Sequence, residues 1–138
     1  MRANDNRLID YYRDGYDILE ISYHLMGMLL NDTQITKRIH ELSIDDCYIY
    51  GGGFLGIQCW RSLKDHIRIK AIVDRHGSLK FDIGDVKVID VQGLKQLYDG
   101  ETIIITPVEF ASDIYRELSE FIDKKRMLFL GEFVQGDV

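Results

Sequence analysis

After residue 45, short runs of β-branched residues alternate with amphipathic segments of helical period, and this alternation constrains the fold more than any other feature. Such a pattern is typical of βαβ units that feed a parallel sheet, so we expect an α/β fold with about five strands. Residues 75–85 are too short for a full crossover helix and predict a loop or small hairpin that turns at its glycines. The pattern predicts strands at 47–50, 67–73, 86–89, 102–105 and 127–130, and helices at 54–65, 91–98 and 107–123.

Capping signals support the positions of the second and third of these helices. Asp90 can cap the second helix at its start, and Gly100 would end that helix in a left-handed conformation. Thr106, Pro107 and Glu109 combine an N-cap, a proline at the first helical position and a capping-box glutamate. Both helices would therefore begin directly after a strand, at the strand's carboxyl end.

Residues 1–44 have a different character, because their apolar residues recur at helical spacing throughout. We interpret them as a helical arm that precedes an α/β domain over residues 45–138. An amphipathic arm joined to a small domain can pair with a second copy, so we expect a homodimer formed through the arm. The three predicted helices of the arm carry Leu8, Ile9 and Tyr12, then Ile18, Ile21, Leu25, Met28 and Leu29, then Ile35, Ile39 and Leu42.

Composition argues against several classes of function. The N-terminus lacks the apolar region of a signal peptide, and the most apolar N-terminal segment, residues 25–30, is far shorter than the ~20 residues of a membrane span. We expect a cytoplasmic protein with two reduced core cysteines, Cys47 and Cys59. The net charge of −6, with lysine and arginine scattered along the chain, makes nucleic acid an unexpected partner.

Four glycines between residues 51 and 56 follow the first predicted strand, and three of them fit the pattern G-x-G-x-x-G. A strand precedes the pattern, a helix begins within it, and Asp74 ends the next strand, as in dinucleotide-binding folds. Gly51 would permit a tight turn, Gly53 the approach of a diphosphate, and Gly56 the close packing of helix and sheet. The helix start, with its unpaired N–H groups, would then attract the anion.

The other residues of the predicted cofactor site are assigned because they lie within this pattern or at the ends of neighbouring strands. Gly52, Phe54 and Leu55 complete the glycine segment. Asp74 would accept hydrogen bonds from a ribose diol, whereas Arg75 could meet a 2′-phosphate. The choice between NAD(H) and NADP(H) stays open, with the carboxylate favouring NAD.

Other nucleotide and metal motifs do not fit the sequence. No Gly-Lys-Ser/Thr ending follows the glycines, which excludes a P-loop, and kinase, zinc-protease and serine-hydrolase signatures are absent. Tyr50 stands where glycine turns that bind S-adenosylmethionine usually have an acidic residue. The four histidines form no pair at metal-binding spacing, so we predict no metal site.

The segments YIYGGGFLGIQCWRSLK, IRIKAIVDR, VKVIDVQGL and TIIITPVEF together resemble the Rossmann-like N-terminal domain of bacterial polysaccharide-biosynthesis proteins. That group includes nucleotide-sugar dehydratases of the membrane-associated type and the sugar-binding domain of sugar O-acyltransferases. The resemblance covers about residues 46–134 and implies a strand order of 3-2-1-4-5 with helices on both faces of the sheet. It also implies that the three motif glycines face a diphosphate, Asp74 a ribose or base, and that Thr106 lines the cleft.

Two departures from this group bear on function. The chain has no C-terminal catalytic or acyltransferase segment after the fifth strand, and none of its eight tyrosines has the lysine four residues later that reductases and epimerases use. We therefore predict no catalytic residue and expect a binding module for a dinucleotide or nucleotide-sugar such as a UDP-sugar, serving cell-envelope sugar metabolism. One alternative is an NAD(P)-dependent oxidoreductase or epimerase subunit that needs a partner, with Thr106, Glu109 and His76 as the available groups. The other is a scaffold that binds no ligand.

Overall fold

The computed structural model describes residues 21, 24–27, 32–79 and 84–135, and among them five strands form one parallel sheet. The strands are β1 (Asp46–Tyr50), β2 (Arg68–Val73), β3 (Val88–Ile89), β4 (Thr102–Ile105) and β5 (Met127–Phe129). The helices are α1 (Asp32–Glu41), α2 (Phe54–Leu63), α3 (Val91–Leu97), α4 (Ala111–Leu118) and α5 (Leu130–Gln135), with a 3-10 turn at Lys124–Arg126. Residue 21 and residues 24–27 are also helical.

The strands lie in the order β3-β2-β1-β4-β5, and all four neighbouring pairs are parallel. Along the chain, β2 and β3 are added in turn on one side of β1, and β4 and β5 are then added in turn on its other side. The order therefore reverses between β1 and β4, where the connections leave a crevice at the carboxyl ends of the strands. The expected α/β fold and strand order are confirmed.

Apolar layers cover both faces of the sheet, as the helical periodicity after residue 45 predicts. One layer is formed by α3 and α4, and it includes Leu94, Ala111, Ile114, Tyr115 and Leu118 over Tyr48, Tyr50, Val73 and Ile105. The opposite layer is formed by α1, α2 and α5, and it includes Ile35, Leu55, Cys59, Leu63, Leu130 and Phe133 over Cys47, Ile49, Ile72 and Ile104. Both cysteines are free and buried.

The described part of the helical arm packs on the sheet. Ile21, Leu25 and Ile35 are almost completely buried in the layer that also contains α2 and α5. Arg38 fixes α1 in place, because its guanidinium donates hydrogen bonds to the carbonyl oxygens of Phe133 at 2.9 Å and Glu132 at 2.8 Å. The third helix predicted for the arm is confirmed as α1, whereas the first, around residues 8–12, lies outside the described residues.

The helix predicted to begin at Pro107 begins four residues later, at Ala111, so the predicted capping box is wrong. The reason is that Thr106 makes its hydrogen bonds to β1. Its backbone N–H donates to the Tyr50 carbonyl oxygen at 3.1 Å and thereby continues the ladder between β1 and β4. Its hydroxyl donates to the same oxygen at 2.7 Å instead of capping a helix. Residues 107–110 consequently form a loop.

Other local predictions have mixed outcomes. Asp90 caps α3 as expected, accepting a hydrogen bond from the Gly93 N–H at 2.8 Å. Gly100 has the expected positive φ of 95°, but α3 already ends at Leu97 with Tyr98 as its C-cap. In the loop after β2, Gly77 and Gly84 have positive φ values of 70° and 96°, as expected of turn positions. Residues 80–83 of this loop lie outside the described residues. Helix α5 was not predicted.

Candidate functional site

The site begins at the glycine turn (residues 51–53), which leaves β1 and leads directly into α2. Gly51 has φ of 120°, a conformation that other residues rarely adopt. A methyl group there would also overlap the Thr106 hydroxyl, and the Pro107 Cδ would lie 3.0 Å from it. The Gly51 N–H donates to the Val73 carbonyl oxygen at 2.7 Å, so the turn continues the pairing of β1 with β2. The contribution of Gly51 to the site is therefore the shape of the turn.

Helix α2 begins without a side-chain cap, and its first backbone donors are open. Gly53 is the N-cap residue, and the first backbone hydrogen bond of the helix runs from the Ile57 N–H to the Gly53 carbonyl oxygen at 3.0 Å. Within the described part of the chain, the N–H groups of Phe54, Leu55 and Gly56 have no acceptor. The first turn also contains no acidic side chain. The positive end of the helix dipole is thus left uncompensated.

Gly56 allows α2 to approach the glycine turn closely. A methyl group on Gly56 would overlap the carbonyl oxygen of Gly51 and would lie 3.2 Å from the Thr106 hydroxyl oxygen. At Gly53, in contrast, a methyl group would meet no atom within 4 Å. Gly56 is therefore required by packing within the chain, whereas the absence of a side chain at Gly53 leaves space in front of the helix start.

Asp74 holds the second residue of the glycine turn. Its carboxylate accepts hydrogen bonds from the Gly52 N–H at 3.1 Å and from the His76 N–H at 2.9 Å. A methyl group on Gly52 would lie 2.9 Å from the Asp74 Oδ1 and 2.8 Å from the Ser78 carbonyl oxygen. Because a carboxylate oxygen can accept more than one hydrogen bond, both oxygens keep acceptor capacity beside the turn.

The glycine turn and the loop after β4 enclose a cleft of about 350 Å³ at the reversal point of the strand order, which we call the switch-point cleft. Phe54 and Phe110 are 49% and 58% exposed on its two sides, which is unusual for phenylalanine. Among the described residues, no lysine or arginine lines the cleft, and the one charged group in its lining is the carboxylate of Glu109. The lining consists of Gly51, Gly53, Phe54, Leu55, Gly56 and residues 106–110.

The structure brings most of the predicted site residues together. Residues 51, 53, 54, 55, 56 and 106 line the cleft, while Gly52 and Asp74 support the turn from beside it. Thr106 is only 1% exposed, and its hydroxyl proton is used in the bond to Tyr50. Arg75 and His76 are exposed in the turn after β2 and do not line the cleft. Of the wall formed by residues 107–110, sequence reasoning named only Glu109, as an available group, and predicted a helix instead of the loop that forms the wall.

Tyr50, the last residue of β1, carries a buried polar atom that sequence reasoning also missed. Its side chain belongs to the layer under α3 and α4, and its hydroxyl has no hydrogen-bond partner among the described residues. Burial and the Glu117 carboxylate raise the pKa of Tyr50, and the nearby Arg75 guanidinium opposes that rise. One carboxylate oxygen of Glu117 is likewise buried without a partner in the described chain.

Scans of the chain against protein-family models, curated proteins and solved structures found no match. The family resemblance therefore stays a prediction. Among the residues described, no three His, Cys, Asp or Glu side chains are grouped so as to hold a metal ion. The described helices include none with the length and apolar character that crossing a membrane requires.

Proposed function

We propose that the protein is a binding module for a dinucleotide or nucleotide-sugar, held in the switch-point cleft. The observation that carries this proposal is the open start of α2, where three consecutive N–H groups without acceptors border a cleft of about 350 Å³. A diphosphate can accept hydrogen bonds from such donors and is favoured by the helix dipole. The cleft also lies within the size range of small-molecule sites and at the place where open parallel sheets bind ligands.

The rest of the ligand would meet both apolar and polar groups. The exposed rings of Phe54 and Phe110 offer faces on which a base or nicotinamide ring can stack. Asp74 can accept hydrogen bonds from a ribose diol through the lone pairs that its two backbone bonds leave free. The candidate ligands are NAD(H), NADP(H) and UDP-sugars, and the resemblance described above favours a role in polysaccharide or cell-envelope sugar metabolism.

Native mass spectrometry of freshly purified protein tests this proposal directly, since a co-purified nucleotide is identified by its mass. Thermal-shift titrations with NAD(H), NADP(H), UDP-sugars and coenzyme A then compare the wild type with Gly53→Val. We expect the valine to abolish the shift while the free protein stays folded with at most a small loss of stability at the N-cap, because its side chain enters the space before α2 and its Cβ would meet no atom within 4 Å.

Gly27→Val is a matched control, because Gly27 lies in a helical segment away from the cleft and its added Cβ would also meet no atom within 4 Å. We expect this variant to keep the ligand response of the wild type. Equal thermal shifts in the wild type and Gly53→Val for every ligand would refute the proposal, as would no response in either protein.

A homodimer formed through the helical arm stays part of the proposal. The arm residues Ile21, Leu25 and Ile35 are buried within the chain itself, so they are not available to a second copy. Met26 is 61% exposed and is the large apolar side chain that the described arm offers to a partner. Sedimentation of the wild type and Met26→Glu measures this contribution, and a monomeric wild type at high concentration would exclude the dimer.

A further inference from the structure

A second pocket, of about 370 Å³, lies toward the amino ends of β1 and β2, away from the glycine turn. We call it the amino-end pocket. Its lining combines three basic side chains with three apolar or aromatic ones, which are Tyr48, Arg68, Ile69, Lys70, Lys87 and Leu97. None of these residues belongs to the switch-point cleft, so the pocket requires an explanation of its own.

The pocket exists because α3 is too short to cover its face of the sheet. Helix α3 has seven residues and spans about 10 Å, whereas the six residues of β2 span about 20 Å. The helix starts at the carboxyl end of β3 and runs back toward the amino ends of the strands, where it stops at Leu97. Leu97 is therefore 46% exposed, and the sheet beyond it is left without a covering helix.

A β-bulge contributes Lys70 to this uncovered area. Cys47 pairs with Ile69 and Tyr48 pairs with Ala71, so Lys70 is an extra residue on β2 with no partner on β1. Bulges redirect side chains, and they are over-represented beside functional sites. The Lys70 ammonium forms a salt bridge with the Glu101 carboxylate, which compensates its charge.

Arg68 and Lys87 are the uncompensated charges of the pocket. Both are exposed, and neither has a carboxylate partner within the described ranges. Lys87 immediately precedes β3, and its carbonyl oxygen accepts a hydrogen bond from the Ile72 N–H at 2.9 Å, which fixes its position beside β2. The amino-end pocket thus carries two positive charges that have no carboxylate partner in the described part of the chain, in a protein whose net charge is −6.

We propose that the amino-end pocket binds a small dianion of the phosphomonoester class that carries an apolar group. Two unpaired cations match the two charges of a phosphomonoester, and a guanidinium presents paired donors that fit phosphate oxygens. The apolar part of the ligand would lie against Leu97, whose side chain is 46% exposed at the wall of this pocket. This site is separate from the switch-point cleft, whose described lining contains neither lysine nor arginine.

Phenyl phosphate is a suitable probe, because it combines the dianion with a small apolar ring. Two-dimensional ¹H–¹⁵N NMR titration of the full chain locates the binding. We expect saturable shifts at the amides of Arg68, Lys70, Lys87 and Leu97, and no saturable shift there with phenol. Benzoate, with a single charge, should bind more weakly than phenyl phosphate.

The double variant Arg68→Gln/Lys87→Gln should weaken binding about tenfold or more while keeping the dispersed spectrum of a folded chain. Lys37→Gln, which removes an exposed charge from α1, is the matched control and should leave the affinity unchanged. Unchanged affinity in the double variant, or equal binding of phenol and phenyl phosphate, would overturn the proposal.

The same titration on Gly53→Val separates this site from the cleft. Binding at the amino-end pocket should persist in that variant, whether or not the cleft binds nucleotides. Shifts confined to residues 51–56 would mean that the probe binds only at the cleft, and this result would refute the amino-end pocket while leaving the proposed function standing.

Discussion

Gly53 and Gly56 stand three residues apart in one motif, but the structure gives them different physical reasons to be glycine. Gly56 must lack a side chain because the Gly51 carbonyl oxygen occupies the place where its Cβ would be. Gly53 has φ of −92° and ψ of −161°, which any residue adopts, and open space around it. Packing within the chain therefore explains Gly56, whereas Gly53 is not fixed by packing: it suits the N-cap position and leaves space for a ligand.

Alanine substitutions distinguish these two reasons. We expect Gly56→Ala to lower the free energy of unfolding by about 3 kcal/mol or more, because the overlap is with backbone atoms that cannot rotate away. We expect Gly53→Ala to cost only about 1 kcal/mol or less, since alanine is a poorer N-cap than glycine but its Cβ meets no atom. Urea denaturation of both variants measures the difference, and equal destabilisation by the two would contradict the packing described around α2.

Tyr50 and Tyr98 form a second contrast at the scale of single residues. The Tyr98 hydroxyl donates to the Glu101 carbonyl oxygen at 2.7 Å, whereas the Tyr50 hydroxyl is buried without a partner among the described residues. Removing a satisfied hydroxyl costs about 1 kcal/mol, but removing an unsatisfied buried one costs little or stabilises the fold. We therefore expect Tyr98→Phe to be less stable than the wild type and Tyr50→Phe to be equal or more stable.

Thermal denaturation of these two phenylalanine variants provides the measurement. The rings keep their packing in both variants, so the comparison isolates the hydroxyl groups. A loss of stability in Tyr50→Phe as large as that in Tyr98→Phe would mean that the Tyr50 hydroxyl has a partner in solution, either the nearby Arg75 guanidinium or a buried water.

At the scale of elements, α1 and α5 share an apolar layer, and one side chain adds hydrogen bonds between them. Arg38 is 7% exposed and donates to two carbonyl oxygens in α5, those of Glu132 and Phe133. We expect Arg38→Met to destabilise the protein by about 2 kcal/mol or more, since it removes both of these charge-assisted hydrogen bonds, of which the one to Phe133 is buried. Arg38→Lys should recover little, because an ammonium cannot reproduce the planar fork of donors.

Lys37→Met is the control for this prediction, because it removes a neighbouring exposed cation from the same helix. It should change the unfolding free energy by less than about 0.5 kcal/mol. Chemical denaturation of the three variants makes the comparison, and near-equal values for Arg38→Met and the control would show that α1 is held by its apolar contacts alone.

The boundaries of α4 and α5 mark the limit of what sequence patterns predict in this chain. Strand positions and the start of α2 follow from local composition, because β-branched runs and glycines act through the backbone of a few neighbouring residues. The start of α4 depends on a contact between Thr106 and Tyr50, which are 56 residues apart. A threonine followed by a proline can cap a helix or end a strand. Which of the two forms here depends on the hydrogen bonds of Thr106 to the neighbouring strand.

The candidate site shows the same division between local and distant causes. The conformation of Gly51 and the open start of α2 could be predicted from the G-x-G-x-x-G spacing. The cleft wall at residues 107–110 and the orientation of Asp74 toward Gly52 could not, since both depend on how separate βα units meet at the edge of the sheet. Lys70 was missed for a related reason, because a bulge is a property of strand pairing and leaves no clear local signal.

At the scale of the whole molecule, the amino end of the sheet is tied together across β1 by Lys70 of β2 and Glu101, which precedes β4. Glu101 also accepts a hydrogen bond from the Asp99 N–H at 2.7 Å. Burial pushes the pKa of Glu101 upward, but the hydrogen bonds from Lys70 and Asp99 outweigh burial and lower it below its ordinary value of 4.5.

A carboxyl group whose pKa is lower in the folded chain stabilises the fold above its unfolded pKa, and that contribution is lost as the pH falls through the folded value. We therefore expect the Glu101 contribution to be complete above pH 4.5 and to disappear below it. Glu101→Gln should be less stable than the wild type at neutral pH, and the difference should shrink in acid. Urea denaturation across this range measures it, with the exposed Glu120→Gln as the control. A difference that does not depend on pH would contradict this role of Glu101.

The two proposed sites lie at opposite ends of the sheet and rely on different electrostatics, which predicts different responses to salt. The described lining of the switch-point cleft has backbone donors and the Glu109 carboxylate but no cationic side chain, within a chain of net charge −6. Salt screens the repulsion between this charge and an anionic ligand, while the short hydrogen bonds of the helix start are little affected. NAD(H) affinity should therefore stay constant or increase as sodium chloride is added.

Phenyl phosphate should bind more weakly to the amino-end pocket as sodium chloride is added, because salt screens its attraction to Arg68 and Lys87. Isothermal titration at low and physiological ionic strength tests both signs, and parallel weakening at the two sites would mean that cations outside the cleft lining bind the nucleotide.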